Sequence, residues 1–224
     1  MEEFKNYLKR LADHEEEKAR EYLNDPRNKI LVYAGVHLNW LGDFFANPEI
    51  VWEKRKVSVF DIKFAASDPA WTEILINQCE RSVKRFLELI KEKPELKNTF
   101  NKDVYNKEGL LLIRAHKDGG FIVLDGMPKF VYLLMDGEEE VEVYLPVNEK
   151  EELPICEPHV IYDLIRGFTR NASDAEGAES LYHGLLLLCR AYRNASELLI
   201  ERFNATRVFE KEVQDVIVKV LKEM

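Results

Sequence analysis

Near the start of the chain, Phe4, Tyr7, Leu8 and Leu11 recur at three- and four-residue intervals, and Tyr22 and Leu23 continue the stripe. Glu15 to Glu17, Lys18 and Arg20 fall on the opposite, solvated side, so the pattern predicts a helix over 2–23 that Asn24-Asp25-Pro26 ends. A second helix, 29–45, is apolar on most faces and stops before Asn47-Pro48. The period then changes. Lys56 to Phe64 alternates as one strand does, and Ser67-Asp68-Pro69 opens a helix with proline in its first turn. Trp71, Ile74, Leu75, Val83, Phe86, Leu87 and Ile90 make its apolar stripe, with a break near Gln78 and a close at Pro94.

Gly109 to Arg114 reads as a strand, and Asp118-Gly119-Gly120 as a hairpin turn, because glycine accepts the positive φ such turns need. Phe121 to Leu124 is the returning strand, and Pro128 to Met135 a short helix stopped by Asp136-Gly137. Glu140 to Leu145 alternates as another strand. From Glu157-Pro158 onward the period is helical. Ser173-Asp-Ala-Glu176 predicts a capping box, with Ser173 starting one helix to about Phe203 and a last helix over 207–223. These elements predict an α+β fold: a small mixed sheet flanked by N-terminal helices and a C-terminal helical bundle. The expected divisions are a helical arm at 1–55, an α+β core at 56–147 and C-terminal helices at 148–224, packed as one compact unit.

Composition narrows the function classes. The 224 residues are 46% apolar and 33% charged, which excludes a wholly disordered chain. A net charge of −9 disfavours a uniformly basic nucleic-acid binder while leaving room for a local basic patch. Dense charge with glutamine only at 78 and 214 leans towards a thermophile surface. Cys79, Cys156 and Cys189 are widely spaced, which predicts reduced, buried thiols in a cytoplasmic protein rather than a disulfide framework or a zinc site. Met1-Glu2-Glu3-Phe4-Lys5 has no basic, apolar secretory pattern, and His37, Asn39 and Asp43 make a membrane span over 30–46 too costly. No histidine pair has metal-ligand spacing, so no metal site is expected; His37 reads as a core histidine and Cys156-Glu-Pro-His159 as a helix start. Walker, dinucleotide-glycine and nucleophile-elbow motifs are absent.

The stretch Leu111-Leu-Ile-Arg-Ala-His-Lys-Asp-Gly-Gly-Phe-Ile-Val-Leu-Asp-Gly126, followed by Phe130-Val-Tyr-Leu-Leu-Met-Asp-Gly137, resembles the ParB/sulfiredoxin superfamily. The resemblance covers about residues 56–147 and rests on element order and one short motif. It implies phosphate contacts at Gly126, Met127 and Lys129, with Arg114 adding charge, and it makes Asp125, Asp61 and Asp68 the candidate catalytic acids. Chemically, a glycine at a strand-to-helix junction lets an anion approach backbone amides. The chain departs from the family at Pro128-Lys129, where a His-Arg type pair is usual, and at Met127, where the sulfiredoxin thiol would fall. Proline has no amide proton and methionine no thiolate, so sulfiredoxin chemistry is disfavoured. Asp125 and Asp68 also fit simple turn and cap roles.

Three functional expectations result. The first is a binding or regulatory module, taking a small phosphate ligand or a protein partner, with a weak or vestigial pocket at Asp125–Lys129. The second is a phosphotransferase or nucleotidase using ATP or another nucleotide with Mg²⁺. The third is a nucleic-acid-associated protein of partition type, which the acidic C-terminal third opposes. Oligomeric state is left open.

Overall fold

The computed structural model describes residues 2–25, 27–65, 69–100, 109–148, 155–205 and 211–224. In chain order the elements are α1 (Glu2–Leu23), α2 (Lys29–Ala46), β1 (Trp52–Ser58), β2 (Ile62–Lys63), α3 (Pro69–Thr72), α4 (Val83–Glu92), β3 (Leu112–Ala115), β4 (Phe121–Asp125), α5 (Met127–Met135) and β5 (Glu140–Pro146). Then follow α6 (Pro158–Asn171), α7 (Ala175–Ala191), α8 (Ala195–Ala205) and α9 (Lys211–Lys222). The architecture is α+β: N-terminal helices, a five-stranded mixed sheet and a C-terminal helical region. The chain divides into two compact units, Met1–Pro48 with Lys150–Met224, and Glu49–Glu149. No helix among the described residues is long and apolar enough to cross a membrane.

In the helical unit, α2 explains its own composition. A Cβ at Gly42 would lie 3.2 Å from the Ala12 carbonyl oxygen, and one at Gly35 3.0 Å from Leu23, so α1 runs antiparallel against a glycine-bearing face. Val32 packs towards α7, within 2.5 Å of where a Cβ on Gly184 would sit. A helix enclosed on two sides is apolar around most of its circumference. His37 is nevertheless exposed, which corrects its reading as a core histidine. At Gly167 of α6 a Cβ would meet the Cα, C and O of Asn24, each at 2.6 Å, so α6 crosses the end of α1 in backbone contact.

Two expectations about the C-terminal helices are corrected. The helix predicted from Ser173 to Phe203 breaks at Tyr192, which is extended (φ −123°, ψ 136°) and fully buried. Asn194 then pairs with Cys156, accepting from its backbone N–H at 2.7 Å and donating to its carbonyl at 3.1 Å. Apolar periodicity continues through the break, so the pattern concealed it. The cap of α7 is Asp174, whose carboxylate accepts from Gly177 N–H at 2.8 Å, and not Ser173. A Cβ on Gly177 would overlap the Ala172 carbonyl, so the helix start is fitted tightly to the preceding turn.

In the sheet unit the strand order is β1-β5-β3-β4-β2. β1 pairs antiparallel with β5, β3 with β5 in parallel, β3 with β4 antiparallel, and β2 with β4 in parallel. The single strand expected over 56–64 is two strands at opposite edges. A 3₁₀ turn over Val59–Asp61 separates them, with Ser58 Oγ accepting from Phe60 N–H at 3.3 Å. A flat five-stranded sheet would hold its edges about 19 Å apart, at about 4.8 Å per strand step. The residues from Ser58 to Ile62 reach only about 14 Å. The sheet must therefore curl. Val59, Ile62, Ile113, Val123, Val141, Val143 and Leu145 line its packed face, against α4 and α5. An aromatic chain, Phe130–Phe64–Phe86–Phe100–Trp71, runs through this core with centroid spacings of 5.0–5.7 Å. The helix expected from Ser67 leaves the α pattern as a π-helix at Glu73–Gln78 and ends at Cys79, where the sequence had placed its break. Asp68 and the Ser67 cap lie outside the described residues.

Gly167→Ala is expected to destabilise the protein by about 2 kcal/mol or more, because backbone atoms of Asn24 cannot move aside as a side chain would. Urea unfolding should show a lower midpoint with unchanged slope; an unchanged midpoint would contradict the crossing.

Candidate functional site

The junction at Asp125–Lys129 is built by β4 running into α5. Gly126 takes φ +89° as the helix cap, Pro128 occupies the first turn, and Phe130 N–H donates to the Gly126 carbonyl at 2.9 Å. A Cβ at Gly126 would stand 2.3 Å from the Leu110 carbonyl oxygen and 3.1 Å from Leu111 Cα. The chain's own backbone fills the space that the glycine leaves. Met127 is 7% exposed and packs in the sheet-unit core. Lys129 Nζ donates to the Gly109 carbonyl, which turns its ammonium onto the loop before β3. Glycine, methionine and lysine thus each have an intramolecular partner here.

The remaining expected site residues are spread along the sheet. Asp125 is half-buried at the C-terminal end of β4, in register with Leu112. Asp61 is exposed in the turn before β2, and its neighbour Ile62 pairs with Phe121 at the opposite end of β4. That separation is about 13 Å along the strand at about 3.3 Å per residue. Arg114 is half-buried opposite Ile122, also away from Gly126. The structure does not gather Asp61, Arg114 and Gly126 into one pocket, and Asp68 is outside the described residues. Among the described residues no group of three or more His, Cys, Asp or Glu is placed to hold a metal ion.

Sequence reasoning missed a polar cluster in the helical unit. Tyr192 Oη donates to Asp43 Oδ2 at 3.0 Å and accepts from Asn39 Nδ2 at 2.5 Å, and Asn39 also donates to Asp43 Oδ2 at 3.2 Å. Tyr192 is fully buried and Asn39 is 5% exposed. Burial, more than the nearby Glu157 and Glu16 carboxylates, raises the Asp43 carboxyl from 3.8 to about 6, against the lowering effects of Tyr192 and His159. The available signal was an Asn and an Asp four residues apart in an otherwise apolar helix, which places both on one face. At Cys156 burial pushes the thiol up to about 12, and its Sγ donates to the Glu157 carbonyl at 3.5 Å, which disfavours a thiolate there. Burial likewise raises Cys189 to about 11. His159 and Tyr162 line an open, mainly apolar groove of about 440 Å³ between α6 and α8, where the Arg202 guanidinium sits 4.9 Å from the Tyr162 ring centre.

Gly126→Ala is expected to cost about 2–4 kcal/mol, from left-handed backbone strain and the clash with Leu110. A cost below about 0.5 kcal/mol in chemical denaturation would show open space there. Asp43 gives a pH signature. Its folded-state pKa is raised, so its contribution to stability is full below 3.8 and is lost as pH climbs through about 6. The melting temperature of the wild type relative to Asp43→Asn should therefore fall between pH 4 and pH 7; a constant difference across that window would refute the assignment.

Comparison with known proteins yields no relative: no protein-family model matches the chain, and neither a curated protein nor a solved structure matches it.

Proposed function

We propose that the chain is a non-catalytic binding or regulatory module built on a ParB/sulfiredoxin-like core, in which the phosphate pocket of that superfamily is vestigial. The order β3, Gly-Gly turn, β4, Asp125-Gly126, α5, Gly137, β5 supports the family reading from Leu111 onward, although the leading strand of the resemblance is split between two sheet edges. The observation that carries the loss of the pocket is the seating of Gly126 against the Leu110 carbonyl. An anion cradle at a strand-to-helix glycine needs free amides and room at the glycine. Here Pro128 contributes no N–H, and the Leu110 carbonyl covers the glycine.

A phosphotransferase or nucleotidase would need an acid and a phosphate clamp at the same phosphoryl group. Asp61 and Gly126 stand towards opposite ends of β4, and Asp125, the acid beside Gly126, meets a glycine already covered by the Leu110 carbonyl, which disfavours that chemistry. A cytoplasmic location is part of the proposal, supported by three free, buried thiols.

The test is a melting scan with millimolar ATP, ADP or CTP, each with Mg²⁺, on the wild type and Lys129→Ala, alongside an assay for released phosphate. A ligand specific to the folded state must raise the melting point by mass action. We expect no phosphate release and no ligand response that depends on Lys129. Turnover, or a shift that Lys129→Ala abolishes, would overturn the proposal.

A further inference from the structure

We propose that Lys63, Arg81 and His116, at the end of the sheet where the β3–β4 hairpin turns, form a binding site for a phosphoryl oxyanion. It is independent of the reading of Gly126–Lys129: the residues differ, and they lie at the other end of β4.

Lys63 ends β2, in register with Ile122 of β4 and opposite Arg114 of β3 through that strand. Its Nζ lies 3.1 Å from His116 Nδ1 and 3.5 Å from the Asp118 carbonyl oxygen. The Asp118 backbone N–H also points to His116 Nδ1, at 3.2 Å. An ammonium and an amide can only donate, so Nδ1 is an acceptor and the ring is neutral with its proton on Nε2. Desolvation, then Lys63, followed by Arg81 and Lys117, hold the histidine below its usual value; Asp118, with Oδ2 at 3.7 Å from Nδ1, opposes them. The imidazole is therefore an N–H donor in a cationic neighbourhood rather than another cation.

Arg81 is held in place at a backbone cost. Glu80 and Arg81 are consecutive non-glycine residues with φ of 49° and 64°, just after the π-helix. Such conformations persist only where surrounding contacts over-determine them. Here Arg81 N–H donates to Leu75 O at 2.9 Å, its carbonyl accepts from Phe64 N–H at 3.1 Å, and its Nη1 donates to Phe64 O at 2.9 Å. This clamp sets a guanidinium beside the end of β2. Gly120 closes the other wall: a Cβ there would stand 2.5 Å from the Asp61 carbonyl oxygen.

Among the described residues no carboxylate forms an ion pair with Lys63 or Arg81, although the chain carries an acidic excess of nine charges; the Asp118 carboxylate stands by His116 instead. In such a chain, two cations with no ion-pair carboxylate among the described residues, beside a neutral imidazole, are complementary to a compact anion with several oxygens. A phosphate dianion or phosphomonoester meets that description better than a monovalent carboxylate.

The experiment follows the His116 ring by NMR while the intact protein is titrated with inorganic phosphate, with chloride at matched ionic strength as control. Bound phosphate should raise the His116 pKa by about one unit, since an anion favours the imidazolium. Lys63→Met should raise that pKa without ligand and weaken phosphate binding at least about tenfold, a loss of order one contact's binding free energy, whereas Lys129→Ala should change neither. A parallel titration with glycerol 3-phosphate separates the sources: tighter binding than phosphate assigns a phosphorylated molecule, and equal binding assigns the free ion. An equal response to chloride, or a phosphate response unchanged in Lys63→Met, would overturn the site.

Discussion

The contact between Gly126 and the Leu110 carbonyl organises the sheet unit. It joins the entry of β3 to the start of α5 at a distance that excludes any side chain. Once that approach is made, Met127 follows into the core, Phe130 is delivered to the aromatic chain beside Phe64, and Lys129 comes within reach of the Gly109 carbonyl. A glycine at a strand-to-helix junction is ambiguous in sequence, since close approach of a ligand and close approach of the chain's own backbone demand the same residue. Here the backbone occupies the space, and the reading of the whole segment changes with it.

The helical unit depends on the same device used differently. Gly42 and Gly167 let helices approach backbone to backbone, Gly35 makes room for the Leu23 side chain, and Val32 and Leu164 fill the room left by Gly184. This packing covers much of α2, and the helix carries Asn39 into the interior and Asp43 to its edge, where Tyr192 satisfies both. The break between α7 and α8 supplies that tyrosine. Had the helix continued through Tyr192, the backbone there would not be extended and the ring would leave its hydrogen-bonding position.

Much of this fold was legible because period and punctuation agreed. The ends of α1 and α2, the Gly119-Gly120 turn and the stop at Gly137 all coincide with residues whose local chemistry has one outcome. The misreadings share one physical cause: apolar periodicity records burial and not chain direction. It ran unbroken through Ser58–Ile62, where the chain changes sheet edge, and through Tyr192, where a helix stops inside the core. The candidate site was less legible still. Lys63 and His116 are distant in sequence, and only the parallel pairing of β2 with β4 brings them to the same end of the sheet. Arg81 joins them through a left-handed backbone that residue preferences argue against.

The Gly126 junction is filled by the chain's own backbone, and the proposed anion affinity lies at the opposite end of β4. Backbone amide shifts recorded during a phosphate titration test this placement most directly, because one spectrum reports both ends of the strand. Phosphate is expected to produce saturable shifts at Lys63, His116 and Asp118 and to leave Gly126, Met127 and Lys129 unmoved. Saturable shifts at Gly126 to Lys129, with the hairpin end silent, would contradict it.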